Sequence, residues 1–285
     1  MFNNNKMSGS DTESEPEITE FEVFVASLEG KSEKTIKTYK QQYNKLRQQL
    51  DKDIHESSQN KIIEIAGEQE NNNTKQARLN IGILVRKLYN YDTKELEKQR
   101  DVWKGNIKED IKKKNETSSL PSYNDLLEYT DYLYENNKWV EYVINYLLIN
   151  FQVRNEDLDF QIVDKKSDTK DDSKNYIWMA RDKIVYIRNN YKTSKTYGMK
   201  MNTIKDKEFI TAMKRIKARG DTLVPNPDNL GYWIRKATLD SIGEGAYFKI
   251  IVNAYKGNLQ EIKKMSESRG TDLKTITESY SLDNV

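Results

Sequence analysis

From Lys31 to Leu50 apolar residues recur at steps of three and four, at Ile36, Tyr39, Tyr43, Leu46 and Leu50, the spacing that lines one face of an α-helix. Ser32 stands where it caps the amino end, and Lys34, Lys37, Lys40 and their neighbours make the remaining faces basic. Ala77, Ile81, Leu84, Val85 and Leu88 mark a second helix, and shorter ones are expected at 58–67 and 93–114. The first 115 residues therefore read as all-helical. Residues 1–17 are polar, acidic and without periodicity, so they read as a disordered tail. The stretch ETSSLPS at 116–122 holds Pro121 among small polar residues and is the expected linker. The domains are then 18–115 and 123–285.

Past the linker, Tyr123, Leu126, Leu127, Thr130, Leu133 and Tyr134 predict one helix. Trp139, Val140, Val143, Ile144, Leu147, Leu148 and Phe151 predict another, with an apolar face wide enough to form the core of the larger domain. The period then changes. NYIWMA (175–180) and KIVYIRN (183–189) read as strands joined by a tight turn at Arg181-Asp182, and a third short strand is expected around Met199 to Thr203. From Lys207 the pattern is helical again, broken by VPNPDN and by glycines. The fold class is thus mainly α (α+β), with a small antiparallel sheet in the second domain.

Composition narrows the chemistry. There is no Cys and one His among 285 residues, which excludes a disulfide framework, a thiolate metal site, a cysteine nucleophile and any site needing two imidazoles. His55, in KDIHESS, reads as an exposed loop or helix-start residue. Asp168, Asp171 and Asp172 lie among lysines and read as a solvated loop, so neither a metal nor another cofactor is expected. No run approaches the roughly 20 apolar residues of a membrane span, and no secretory leader is visible at the start. The expected location is intracellular, in the cytoplasm or nucleus of a host, or in a virion. The formal charge is +2, yet residues 1–30 carry one base against seven acids, leaving 46 bases against 38 acids beyond them. Residues 181–220 alone hold twelve bases and three acids. Such segments suit a phosphate-lined partner, and equally a solvated lysine-rich face.

Four residues stand out by context. Arg154 follows the most hydrophobic helix, where a charge needs a partner, and Asp157 is the nearest one for a plain salt bridge. Lys192 and Lys195 lie in YKTSKTYG after the second strand, a place for phosphate contact or for an ordinary solvated turn. Arg235 lies in GYWIRKAT at a helix start, and Tyr280 in TITESYSLDNV.

In this order the pieces resemble the tyrosine recombinase (phage integrase) family: Arg154 with Asp157-Leu158, then the hairpin lysine Lys192 with Lys195 as its alternative, then Tyr232-Trp233-Ile234-Arg235 at the HxxR box, then Tyr280. SEKTIKTYKQQYNKLRQQL is similar to the first long helix of that family's amino-terminal core-binding domain. The resemblance implies duplex DNA as partner, a homo-oligomer on DNA, no small-molecule cofactor and metal-free strand cleavage and rejoining through a 3′-phosphotyrosyl bond. Arg154 and Arg235 would hold the scissile phosphate with planar, permanently charged forks, Lys192 would protonate the departing 5′-oxygen, and Tyr280 would attack in line. Lys34, Lys37, Lys40, Lys195 and Lys200 would contact the DNA backbone. Two positions depart from the pattern: Tyr232 stands for the first His, and Glu267 or a neighbour in MSESRGTDL for the His/Trp position. A carboxylate beside a phosphate repels it unless paired, with Arg269 the nearest partner. A second reading therefore keeps the fold without the reaction, as a DNA-binding or structural component of a virus or mobile element.

Overall fold

The computed structural model describes residues 18–117 and 119–280, apart from the side chains of 114–117. The expected acidic tail lies outside them, as do the five residues after Tyr280. The chain divides into two compact units between Ile111 and Lys112.

The first unit is helical: α1 (Glu20–Ala26), α2 (Glu33–Arg47), α3 (Gln59–Gly67), α4 (Asn72–Leu88) and the start of α5 (Lys94–Thr117). Helix α5 runs through Glu116 and Thr117, two residues into the stretch read as a linker. Each of the first four helices opens on a side-chain cap, because the first backbone N–H groups of a helix have no partner within it. Thr19 and Glu22 form a capping box, and Ser32, Ser58 and Asn71 accept from the N–H groups of Thr35, Lys61 and Asn73. Phe24, Leu28, Leu46, Ile54, Ile62, Leu79 and Val85 fill the core. Helices α3 and α4 touch at Gly82, where an added Cβ would lie 2.8 Å from Ile62 Cγ2.

This unit corrects the expectation for His55. Its ring is stacked on Tyr89 at 3.9 Å, and its Nδ1 meets the carboxylate of Glu20, itself 5% exposed. Glu20 also accepts from Tyr43 Oη at 2.7 Å, Ile54 N at 3.1 Å and His55 N at 2.9 Å. A buried carboxylate is tolerable only when its lone pairs are filled in this way.

The second unit is built on α7 (Trp139–Phe151), whose Val140, Val143, Ile144, Leu147 and Leu148 are buried, as the wide apolar face predicts. Helix α6 (Tyr123–Glu135) packs beside it. A four-stranded sheet follows in the order β1 (Phe160–Val163), β2 (Asn175–Met179), β3 (Ile184–Arg188), β4 (Lys200–Ile204), with a one-turn helix α8 (Ser194–Tyr197) between the last two. Strands β2, β3 and β4 form the expected antiparallel set. The sheet as a whole is mixed, because β1 joins β2 in parallel. The remaining helices are α9 (Lys207–Lys217), α10 (Leu230–Ala237), α11 (Gly243–Ala254), α12 (Leu259–Arg269) and α13 (Leu273–Ser279), of which α9, α10, α11 and α12 all touch α7. No helix among the described residues is long and apolar enough to cross a membrane.

Candidate functional site

The site forms where the carboxyl ends of α7 and α12 meet. A helix leaves its last carbonyls unpartnered, and here arginines supply the donors. Helix α7 ends at Gln152, held left-handed at φ 47°, after which the chain turns to Arg154. Arg269, the last residue of α12, donates through Nη1 to Gln152 O at 3.0 Å and Val153 O at 3.4 Å. Arg154 Nη1 reaches back to Arg269 O at 2.6 Å, and Ser268 Oγ donates to Phe151 O at 2.7 Å. Two segments more than a hundred residues apart are thereby strapped together, with both guanidinium groups at the junction.

Tyr280 belongs to this junction. The Arg269 guanidinium lies 4.1 Å from the Phe248 ring centre and 5.5 Å from that of Tyr280, and the two rings meet edge to face at 4.7 Å. Tyr280 N donates to Ile276 O at 3.0 Å, and Tyr280 O accepts from Asn253 Nδ2 at 3.1 Å, so the residue is tied to both α13 and α11. Burial, then the like charge of Arg269, pushes the Arg154 guanidinium below its ordinary value, while Asp157, Tyr280 and Glu244 act in the opposite sense.

Lys200 is the third cation. Its Nζ donates to Ser268 O at 2.9 Å and to Glu267 O, and lies over the rings of Tyr191 at 5.0 Å and Tyr197 at 5.5 Å. Burial, reinforced by the charges of Arg188 and Arg154, pushes its ammonium down to about 8. Beneath it lies the ion pair of Arg188 and Asp157, 3.3 Å apart and almost wholly buried. Burial raises the Asp157 carboxyl above its ordinary range, against the pull of Arg188. The salt bridge expected between Arg154 and Asp157 is therefore replaced by one to Arg188, although Asp157 N still donates to Arg154 O at 3.0 Å.

The remaining predicted residues lie apart from the junction or at its border. Lys192 and Lys195 are exposed, on the connection between β3 and β4, with no ion pair among the described residues. Tyr232 is 65% exposed on α10. Arg235, also exposed and without an ion pair among the described residues, lines a cavity of about 670 Å3 together with Asn155, Tyr232 and Glu244. The Glu267 side chain is exposed, and only its carbonyl meets Lys200. Arg269 is paired with Glu244, not Glu267. The structure thus gathers Arg154 and Tyr280 with two cations to which the sequence reading gave other roles, Lys200 as a DNA-backbone contact and Arg269 as the partner of Glu267.

Could the protein hold a metal? Glu20, Asp53 and His55 present ligand atoms within 4.8 Å of one another. Both Glu20 oxygens are already filled by donors, and Asp53 holds Arg47 at 3.0 Å, so this cluster suits hydrogen bonding rather than a cation.

No protein-family model and no curated protein matches the chain. Among solved structures, the crystal structure of XerA recombinase aligns with 93% of this chain and 94% of its own at 14% identity, with a TM-score of 0.38, an overlap too low to carry weight for fold or chemistry.

Proposed function

We propose that this chain binds duplex DNA and cleaves and rejoins its strands through a 3′-phosphotyrosyl bond to Tyr280, in the manner of the tyrosine recombinases its motif order resembles. One observation carries the reading. Arg154 and Lys200 are half-buried cations beside one another, each donating to backbone carbonyls and neither joined to a carboxylate among the described residues. Desolvated like charges of this kind raise each other's energy, and an anion such as a phosphodiester relieves both. Tyr280, close enough to Arg154 for its charge to be felt there and packed on Arg269, offers a hydroxyl as nucleophile.

In the reaction Tyr280 Oη bonds to phosphorus, the bond from phosphorus to the 5′-oxygen breaks, and the tyrosyl proton passes to water. Arg154 stabilises the charge that builds on the non-bridging oxygens. The 5′-oxygen takes a proton from Lys200, whose lowered pKa of about 8 suits a donor near neutrality better than a solvated lysine. Lys192 and Lys195, pointing into solvent, serve as contacts to the DNA backbone. The phosphotyrosyl bond conserves the energy of the broken one, so the reverse steps rejoin the strand.

The test is incubation with nicked suicide duplexes that trap a covalent adduct. The chain should form one that survives denaturation, and Tyr280→Phe should form none. Absence of any adduct across varied sequences overturns the catalytic reading. The outward position of Tyr232 and the exposure of the Lys192 side chain favour a second reading, DNA binding without cleavage, which expects salt-sensitive binding and no adduct.

A further inference from the structure

The Arg235 cavity has a wall that opposes its cation. Glu244, in the first turn of α11, lines that cavity, its side chain is 15% exposed, and its carboxylate forms an ion pair with Arg269 Nη2. Arg269 is fixed independently of this pair. Its Nη1 is held by the carbonyls of Gln152 and Val153, its face rests on Phe248 at 4.1 Å, and it is 3% exposed. Of the two partners, then, the guanidinium is held by two carbonyls and a ring besides the ion pair, and the carboxylate, among the described residues, by the ion pair alone. A phosphate entering beside Arg235 faces the Glu244 carboxylate in a partly desolvated space, where like charges repel strongly.

We propose that Glu244 is a built-in competitor for the phosphate: it occupies the Arg269 guanidinium and the wall of the Arg235 cavity, and a phosphodiester binds by displacing it. Affinity for phosphate is then set by the exchange of one anion for another on Arg269, with Arg235 as the second cation. A phosphate making a single contact binds more weakly for having to replace the old bond, whereas a phosphodiester positioned by many backbone contacts offsets that loss. Glu244 thereby discriminates against free phosphate in favour of phosphate held in a duplex. This inference rests on the reading of the site as a phosphate site, and does not depend on cleavage.

The experiment is calorimetric titration of the full chain with inorganic phosphate, beside the variants Glu244→Gln, Arg269→Gln and Arg235→Ala. Glu244→Gln removes the competing charge and should bind phosphate about tenfold more tightly than the parent, a gain that a further Arg235→Ala should cancel. Arg269→Gln releases the Glu244 carboxylate into the cavity and should weaken binding by a similar factor, so the two changes have opposite signs. Thermal melting checks that each variant folds. Should Glu244→Gln not fold, Glu244→Asp, which draws the carboxylate back by one methylene, should show a smaller gain in the same direction. Equal or weaker binding in the Glu244 variants overturns the competitor while leaving a phosphate site in place. Binding in none of the proteins, parent included, overturns the phosphate reading and the competitor with it. The adduct assay on Tyr280 is read separately, so tightening without adduct removes only the chemistry.

Discussion

At the scale of single residues, Lys200 makes the clearest statement about pH. Its folded pKa of about 8 lies below the ordinary lysine value of about 10.4, so between these limits the unfolded chain binds more protons than the folded one. Its contribution to stability therefore rises with pH across that window. Affinity for phosphate should move the opposite way, falling as pH climbs through 8 and Nζ loses its charge. Binding of a short duplex measured between pH 7 and 9 should show this loss, and Lys200→Arg should flatten it; equal pH dependence in the two proteins contradicts the assignment. Glu20 has the same slope with pH in a more acidic window, but its shift comes from hydrogen bonds to the charged form and so stabilises the fold at neutral pH. Burial alone would raise its carboxyl, but the N–H and ring of His55, the Tyr43 hydroxyl and the Ile54 N–H outweigh burial and leave it below the ordinary range. Its stabilisation is complete above the unfolded value near 4.3 and is lost as pH falls through the lower folded value. Glu20→Gln should destabilise the chain at pH 7 by about 1.5–3 kcal/mol, as hydrogen bonds to a charged group weaken, and should blunt the acid limb of a melting profile. A chain whose melting is unchanged by Glu20→Gln would contradict the role given to this network.

At the scale of elements, the connection from β3 to β4 is docked on the turn from α12 to α13. Thr193 Oγ1 donates to Gly270 O at 2.7 Å, and Gly270, at φ 63°, lies so close beneath that an added Cβ would stand 2.7 Å from Thr193 Oγ1, 3.0 Å from Tyr191 Cε2 and 3.2 Å from Lys200 Nζ. Gly270→Ala should cost about 1–2 kcal/mol for the left-handed backbone. It should also push Lys200 off the α12 carbonyls, so adduct formation should fall further than the melting temperature accounts for. A loss of adduct that merely follows the melting temperature contradicts that coupling. How legible were these elements in the sequence? Helices α2 and α7 and strands β2 and β3 announce themselves because their patterns are local. Strand β1 does not: four residues long, it owes its place to parallel pairing with β2 and to the burial of Phe160 and Ile162. Arg154 and Tyr280 stood out by context, but Arg269 was read only as a partner for Glu267, since its burial arises only where the end of α12 meets the end of α7. The sequence reading put Glu267 at that position. Two residues apart on a helix point about 200° apart, so Glu267 faces solvent where Arg269 faces the junction. Lys200 and Lys192 present the same charge eight residues apart, and only the start of β4 carries Lys200 to the α12 carbonyls. His55 was misread because its partner, Glu20, is 35 residues away.

At the scale of the whole molecule, the candidate chemistry and the basic helix belong to different compact units. Arg154, Lys200, Arg269 and Tyr280 lie in the second, while Lys34 and Lys37, both exposed, and Lys40, half-buried, line α2 in the first. If duplex DNA is the partner, the two contributions separate by experiment. Backbone contacts act through counterion release, so the logarithm of the binding constant falls linearly with that of the salt concentration, with a slope of about 0.9 per phosphate neutralised. Replacing Lys34, Lys37 and Lys40 together by Ala should weaken binding and reduce that slope by up to about 2.7. The rate of adduct formation at saturating DNA should stay the same, because the three belong to the first unit and the residues given the chemistry to the second. Lys200→Ala should do the reverse, with a small change of slope and a large loss of rate. A triple variant that keeps the parent slope would make α2 a solvated lysine face and leave DNA contact to the second unit alone, which the twelve bases of residues 181–220 are numerous enough to supply.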